Sequence, residues 1–169
     1  MNSVVSNATP LIYLAKIGRI GLLKGVFGEV LIPEKVKVEV VDRGKERGEK
    51  DASLVEKAIR KGWLRILKTE RIEVPIKLEA GELAVLSLAK AQGIREVLVD
   101  EASARMAARL LDLTPRGTVF ILLKALEKGE IDLEEFLHIL DELVKQGFRL
   151  KEEVFIEAIR EARKIARDR

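Results

Sequence analysis

Two rhythms of apolar and polar positions run along this chain. Val4 to Ser6, Glu29 to Ile32, Trp63 to Leu67 and Glu96 to Val99 are short apolar runs or alternations that read as strands. Between them the apolar residues recur at helical spacing. Thr9 is expected to cap a first helix, with Pro10 at its first position, an apolar face of Leu11, Leu14, Ala15 and Ile17, and Gly18 at its end. A short helix over Ile20 to Lys24 follows. Pro33 opens another, which carries Val36, Glu39 and Val40. Gly44 and Gly48 suggest a polar, flexible connection. Ala52 to Lys61 reads as a basic amphipathic helix closed by Gly62. Pro75 punctuates a loop. Glu79 to Ala91 and Ala102 to Leu111 read as further helices, with Leu113-Thr114 as a short last strand. Gly117-Thr118 begins an apolar helix ending at Gly129. Leu133 to Lys145 and Lys151 to Ala166 are amphipathic, separated by Gly147.

Strands alternating with helices predict an α/β fold with a mostly parallel central sheet. Such sheets bind ligands beyond the carboxyl ends of their strands, where the strand order reverses. Asn7 and Asp100 each stand just past a predicted strand. The tail helices need somewhere to bury their apolar faces. Phe136, Leu140, Leu143, Phe155 and Ile159 are therefore expected to pack on the body or across a twofold contact. The expected division is an α/β domain over 1–130 and a helical extension over 131–169 on the same domain.

Composition narrows the chemistry. The 169 residues include no cysteine and one histidine. Thiol chemistry, a Cys/His zinc site and a Ser-His-Asp relay are thereby disfavoured, and carboxylates are left as the best reacting or ligating groups. Grouped carboxylates usually act through a hard divalent cation. Charged residues are 35% of the chain, above the roughly 25% of an average domain. With no cysteine and two methionines, that share resembles heat adaptation, since ion-pair networks gain value with temperature. No segment is apolar for long enough to span a bilayer, and no signal peptide is expected, so a cytoplasmic setting is anticipated. Net charge is +3, but from Asp42 to Arg71 ten Lys/Arg face six Asp/Glu, a surplus of four. Such a stretch is either a solvated, ion-paired helix face or a surface for phosphate backbones.

The order of several short motifs resembles the PIN-domain family, in particular its VapC-like subgroup. Val4-Val5-Ser6-Asn7-Ala8-Thr9-Pro10-Leu11-Ile12 with Leu14-Ala15-Lys16-Ile17-Gly18 is similar to the family's opening. Leu31-Ile32-Pro33 with Val36 and Glu39, Gly81-Glu82 with Ala84, Leu88 and Ala89, and Val97-Leu98-Val99-Asp100-Glu101 with Ala104-Arg105 and Ala107 resemble its later blocks. Gly117-Thr118 and Gly147-Phe148-Arg149-Leu150 resemble its closing part. The resemblance implies an α/β/α sandwich and an endoribonuclease using Mg2+ or Mn2+ held by three or four acids. It also implies RNA as partner, a possible small antitoxin protein, and a homodimer. The acids would fall at Asn7, Glu39, Glu82 and either Asp100 or Glu101, with Thr9, Thr118 and Arg105 supporting. These residues are then expected to converge in one cleft.

Asn7 departs from the pattern, because the family's nucleases generally carry Asp there. Asn offers a carbonyl oxygen without the charge. A carboxylate lost beside a divalent ion is worth on the order of a few kcal/mol at an effective dielectric near 20. The rival reading is therefore a catalytically weakened module that binds RNA or a protein partner. A receiver-type signalling domain would need a phospho-accepting Asp at the end of a central strand, and neither Asp42 nor Asp51 follows one. Plainer readings stand beside each residue: Glu39 and Glu82 as solvated charges, Asp100 as the N-cap of the next helix, Asn7 as a turn residue. His138 reads as a packed or surface residue, and Trp63 and Phe27 as core. Aromatic content of 4% leaves little for base stacking.

Overall fold

A computed structural model describes residues 3–46 and 48–169. The sheet has five strands: β1 (Val4–Ser6), β2 (Val30–Pro33), β3 (Leu64–Leu67), β4 (Glu96–Leu98) and β5 (Thr114–Arg116), in the order β3-β2-β1-β4-β5. Every pairing among the described residues is parallel. β1 is central, with Val4 opposite Val30 and Val5 opposite both Leu31 and Val97. All three of its residues are buried, as a strand covered on both faces requires. Pro115 sits in edge strand β5, where a missing N–H is tolerated.

The chain builds outward from β1 through β2 to β3. It then returns across the sheet to lay β4 against the other side of β1. The strand order reverses beside β1, so the crevice beyond the carboxyl ends of β1 and β4 is the topological switch point.

Helix α1 (Ala8–Lys16) leaves the end of β1, followed by α2 (Gly21–Phe27). After β2 come α3 (Glu34–Lys37), a π-helical segment Val38–Asp42, α4 (Arg43–Glu46) and α5 (Lys50–Arg60). Helix α6 (Ala80–Gln92) packs along β1, β2 and β4. Residues 82–89 of α6 are all buried, and Gly93 closes it in the left-handed region at φ 67°. α7 (Ala102–Leu110) connects β4 to β5, and α8 (Thr118–Glu127) receives α2, α9 (Leu133–Lys145) and α10 (Glu152–Arg167).

The tail shares the core of the body. Phe136, Leu140, Leu143, Ala158 and Ala162 belong to one apolar cluster with Val4, Leu11 and Leu98. Tyr13 ties the α9–α10 turn to α1: its hydroxyl donates to Gly147 O at 3.3 Å and its ring meets Phe148 edge-on at 5.3 Å. Phe155 and Ile159 are only partly buried against the cluster. Trp63 and Phe27 are core residues, as expected.

Two local expectations need correction. The first helix is capped at Asn7 and not at Thr9; Ala8 is its first residue and Pro10 lies inside the first turn, where a missing N–H costs nothing. Gly44 is no flexible link either. It is buried in α4, with Ala52 so close that a β-carbon at 44 would lie 2.8 Å from the Ala52 β-carbon.

Candidate active site

The end of β1 places Asn7 in the crevice. Its N–H donates to Leu98 O of β4 at 2.9 Å and its carbonyl accepts from the Oγ of the preceding Ser6 at 2.9 Å, so its backbone is held at both ends. The residue is 6% exposed and lines a cleft of about 990 Å3. A β-carbon at Gly81 would lie 3.8 Å from Asn7 Oδ1, which places the first turn of α6 against this side chain. Thr9 lines the same cleft one residue into α1.

Glu39 arrives from the π-helical segment. Its neighbours Val36, Val40 and Val41 are buried, which pins the segment while half-buried Glu39 lines the cleft. Widened turns of this kind often accompany functional sites. Glu82 is the third residue of α6. Its Oε1 accepts from Glu79 N–H at 3.1 Å, the return bond of a capping box. The next two turns of α6, residues 83–89, are buried, so the helix carries Glu82 to the cleft with little freedom. Glu101 stands one residue beyond Asp100, exposed at the cleft wall. Glu34, Lys35, Arg43, Lys77, Glu79 and Ser103 complete much of the rim. None of these was singled out from sequence. A glutamate three residues before Glu82 was the one available signal, since that spacing suits a capping box.

Asp100 is placed differently. It does not cap α7, whose N-cap position is held by Glu101. Its two oxygens grip the start of α8 instead: Thr118 N–H donates to Oδ1 at 2.8 Å and Thr118 Oγ1 donates to Oδ2 at 2.7 Å. Arg105 sits alongside and its Nη1 donates to Val99 O at 3.2 Å. Gly117 is required here, because a β-carbon would lie 2.9 Å from Asp100 Oδ1 and 3.3 Å from Arg105 Nη1. Thr118 is fully buried. Asn7, Thr9, Glu39, Glu82 and Glu101 thus share the open cleft, while Asp100, Arg105 and Thr118 form a closed cluster next to it.

Burial pushes the Glu82 carboxyl above the usual range, and the nearby charges of Glu79, Glu101 and Glu39 push it further, against the bond from Glu79 N–H. Burial also raises Asp100; the Thr118 bonds and Arg105 oppose that and Glu101 adds to it. The Arg105 guanidinium is pushed down, first by burial and then by Arg109 and Arg116, with Asp100 opposing. Among the described residues no ion pair reaches Glu82 or Glu101.

The donor set is entirely oxygen, which suits a hard divalent cation better than zinc or copper. Among the described residues no three Asp, Glu or His side chains are already gathered into a cage. The arrangement is an open cleft in which the charges of Glu79, Glu101 and Glu39 act on Glu82, with Lys35, Arg43 and Lys77 on the same walls. No helix among the described residues is long and apolar enough to cross a membrane. Compared with family models, residues 3–164 match one described as a PIN domain. No curated protein matches the chain.

Proposed function

This chain belongs to the PIN-domain family, and we propose that it is a divalent-metal-dependent endoribonuclease of the VapC-like type. The observation that carries the reading is the cleft at the switch point, where Glu39, Glu82 and Glu101 face one another across Asn7. Like charges gathered this way weaken the fold unless a cation relieves them. Asn7, Glu39, Glu82 and Glu101 would hold Mg2+ or Mn2+, with the half-buried Asp100 adding charge from beside the cleft. When bound, the cation supplies Lewis acidity at a phosphate and lowers the pKa of a water.

The other residues orient and hold. Thr118 fixes Asp100 and Arg105 fixes the Val99 carbonyl before it, and with them the backbone that presents Glu101. Lys35 and Lys77 on the rim draw the phosphate backbone toward an otherwise repulsive cleft. Thr9 supports the donor ring from the wall. In this reading the protein works in the cytoplasm on RNA, pairs with a second copy, and is held in check by a small antitoxin protein. Residues 131–169 extend the 1–130 unit.

Asn7 favours a second reading. With one carboxylate fewer than its relatives' pattern, the chain is a weakened module that binds RNA or a protein partner and cuts poorly. Incubation of a generic single-stranded RNA with manganese or magnesium, beside an EDTA control, separates the two. Internal cleavage that EDTA stops is the expected result. RNA bound but uncut under every metal condition would replace the nuclease with the binding module.

A further inference from the structure

A second pocket of about 600 Å3 adjoins the acidic cleft, and Lys35 and Leu78 belong to the walls of both. Its floor is apolar, made by Pro33 at the end of β2, Leu78, and Leu83 next to Glu82 on α6. Its rim carries Lys68 and Arg71 from the extended segment after β3. That segment is anchored along one side. Ile72, Val74, Ile76 and Leu78 are half-buried, alternating with exposed residues. Ile72 N–H donates to Ser87 Oγ at 3.1 Å, and that hydroxyl donates to Leu83 O at 2.7 Å. The rim cations are thereby tied to the helix that holds Glu82. Among the described residues Lys35, Lys68 and Arg71 take part in no ion pair with a carboxylate.

An apolar floor under three cations and one carboxylate, Glu34, leaves a positive surplus and asks for a ligand that is flat and apolar on one side and anionic on the other. A nucleotide has that form. A polyanion crossing the carboxylate cleft also needs cations just beyond it, and the wall that the two pockets share, with Lys35 on it, leads from the cleft to them. We infer that this pocket is a subsite for the base of a nucleotide flanking the phosphate in the cleft. Lys68 and Arg71 meet that nucleotide's own phosphate, and Lys35 meets the backbone between the two. The inference rests on the reading of the cleft as an RNA site. It adds that the occupant is single-stranded, since a base stacked in a helix cannot enter a pocket.

The test is fluorescence anisotropy of the full chain with a labelled ten-nucleotide single-stranded RNA in EDTA, followed by cleavage of the same RNA in manganese. Lys68→Ala/Arg71→Ala should raise the Kd about tenfold and flatten its salt dependence by about 1.4 in log–log slope, with the melting midpoint unchanged. An abasic unit moved along the RNA should weaken binding to the native chain at one position only. A flat abasic scan, or a double variant with native Kd and native KM, overturns the subsite. If that variant still cuts, the nuclease reading stands without the subsite. If the native chain neither binds nor cuts RNA, both fall together.

Discussion

Asp100 and Glu101 are neighbours in sequence and opposites in setting. Asp100 is held in place: both oxygens are engaged by Thr118, Arg105 lies beside it, and Gly117 passes so close that a β-carbon there would lie 2.9 Å from Oδ1. Glu101 is exposed and faces Glu82 and Glu39 across a cleft with no ion pair of its own among the described residues. One region satisfies its half-buried charge through Thr118. The other brings Glu39, Glu82 and Glu101 to one cleft, where the charges of Glu39 and Glu101 act on Glu82. A carboxylate's role follows from which partners it has, and on the proposed reading the open cleft is the functional side.

The largest expected effect tests the open side. Glu82→Gln keeps the shape and removes the charge most burdened by its neighbours. Cleavage should fall about 100-fold or more, since a direct ligand matters at least as much as the supporting contacts around one. Asp100→Asn should cost about tenfold, because it removes charge from beside the cleft and takes away no direct ligand. Equal losses in the two variants, measured as kcat/KM on one RNA, would make Asp100 a direct ligand and dissolve the contrast.

The closed side should answer in stability. Thr118→Val removes the hydroxyl that serves Asp100 Oδ2 and leaves a buried carboxylate oxygen short of a donor. The cost should be about 1–3 kcal/mol, seen as a midpoint lowered by several degrees. An unchanged midpoint would mean that the cluster is not a latch. Asn7→Asp should act on the open side alone, raising manganese affinity on the order of tenfold while lowering the stability of the metal-free chain slightly.

pH sharpens the comparison further. Glu82 and Asp100 both have raised pKa values in the fold. The native chain therefore holds extra protons between the ordinary carboxylate range and those raised values. Their contribution to stability is full below the unfolded pKa and is lost as pH rises through the folded ones. Melting midpoints of the metal-free chain across that window should fall with rising pH, and less steeply in Glu82→Gln. Identical slopes would show that Glu82 carries no such burden.

Much of this was legible beforehand. The short run Val4 to Ser6 at β1, the Glu79 start of α6 and the amphipathic pattern of α9 are local signals, and each became the element it suggested. The cap at Asn7 was misplaced because Thr9-Pro10 is a strong start signal that the chain overrides by continuing the strand directly into the helix. The π-helical turn around Glu39 was invisible, since its valines fit ordinary helical spacing. The Asp100–Thr118 grip was hidden for another reason. The two residues are 18 apart, and only the pairing of β4 with β5, with Leu98 opposite Arg116, brings them together. That register is what sets Asp100 apart from Glu101 in the structure.

The central claim is that the open cleft holds a divalent cation. Titration calorimetry with manganese, on the native chain and on Glu82→Gln, addresses it without any assumption about RNA. The account predicts one ion per native chain and at least tenfold weaker binding in the variant. A native chain that takes up no manganese, or a variant that binds it equally well, would contradict it.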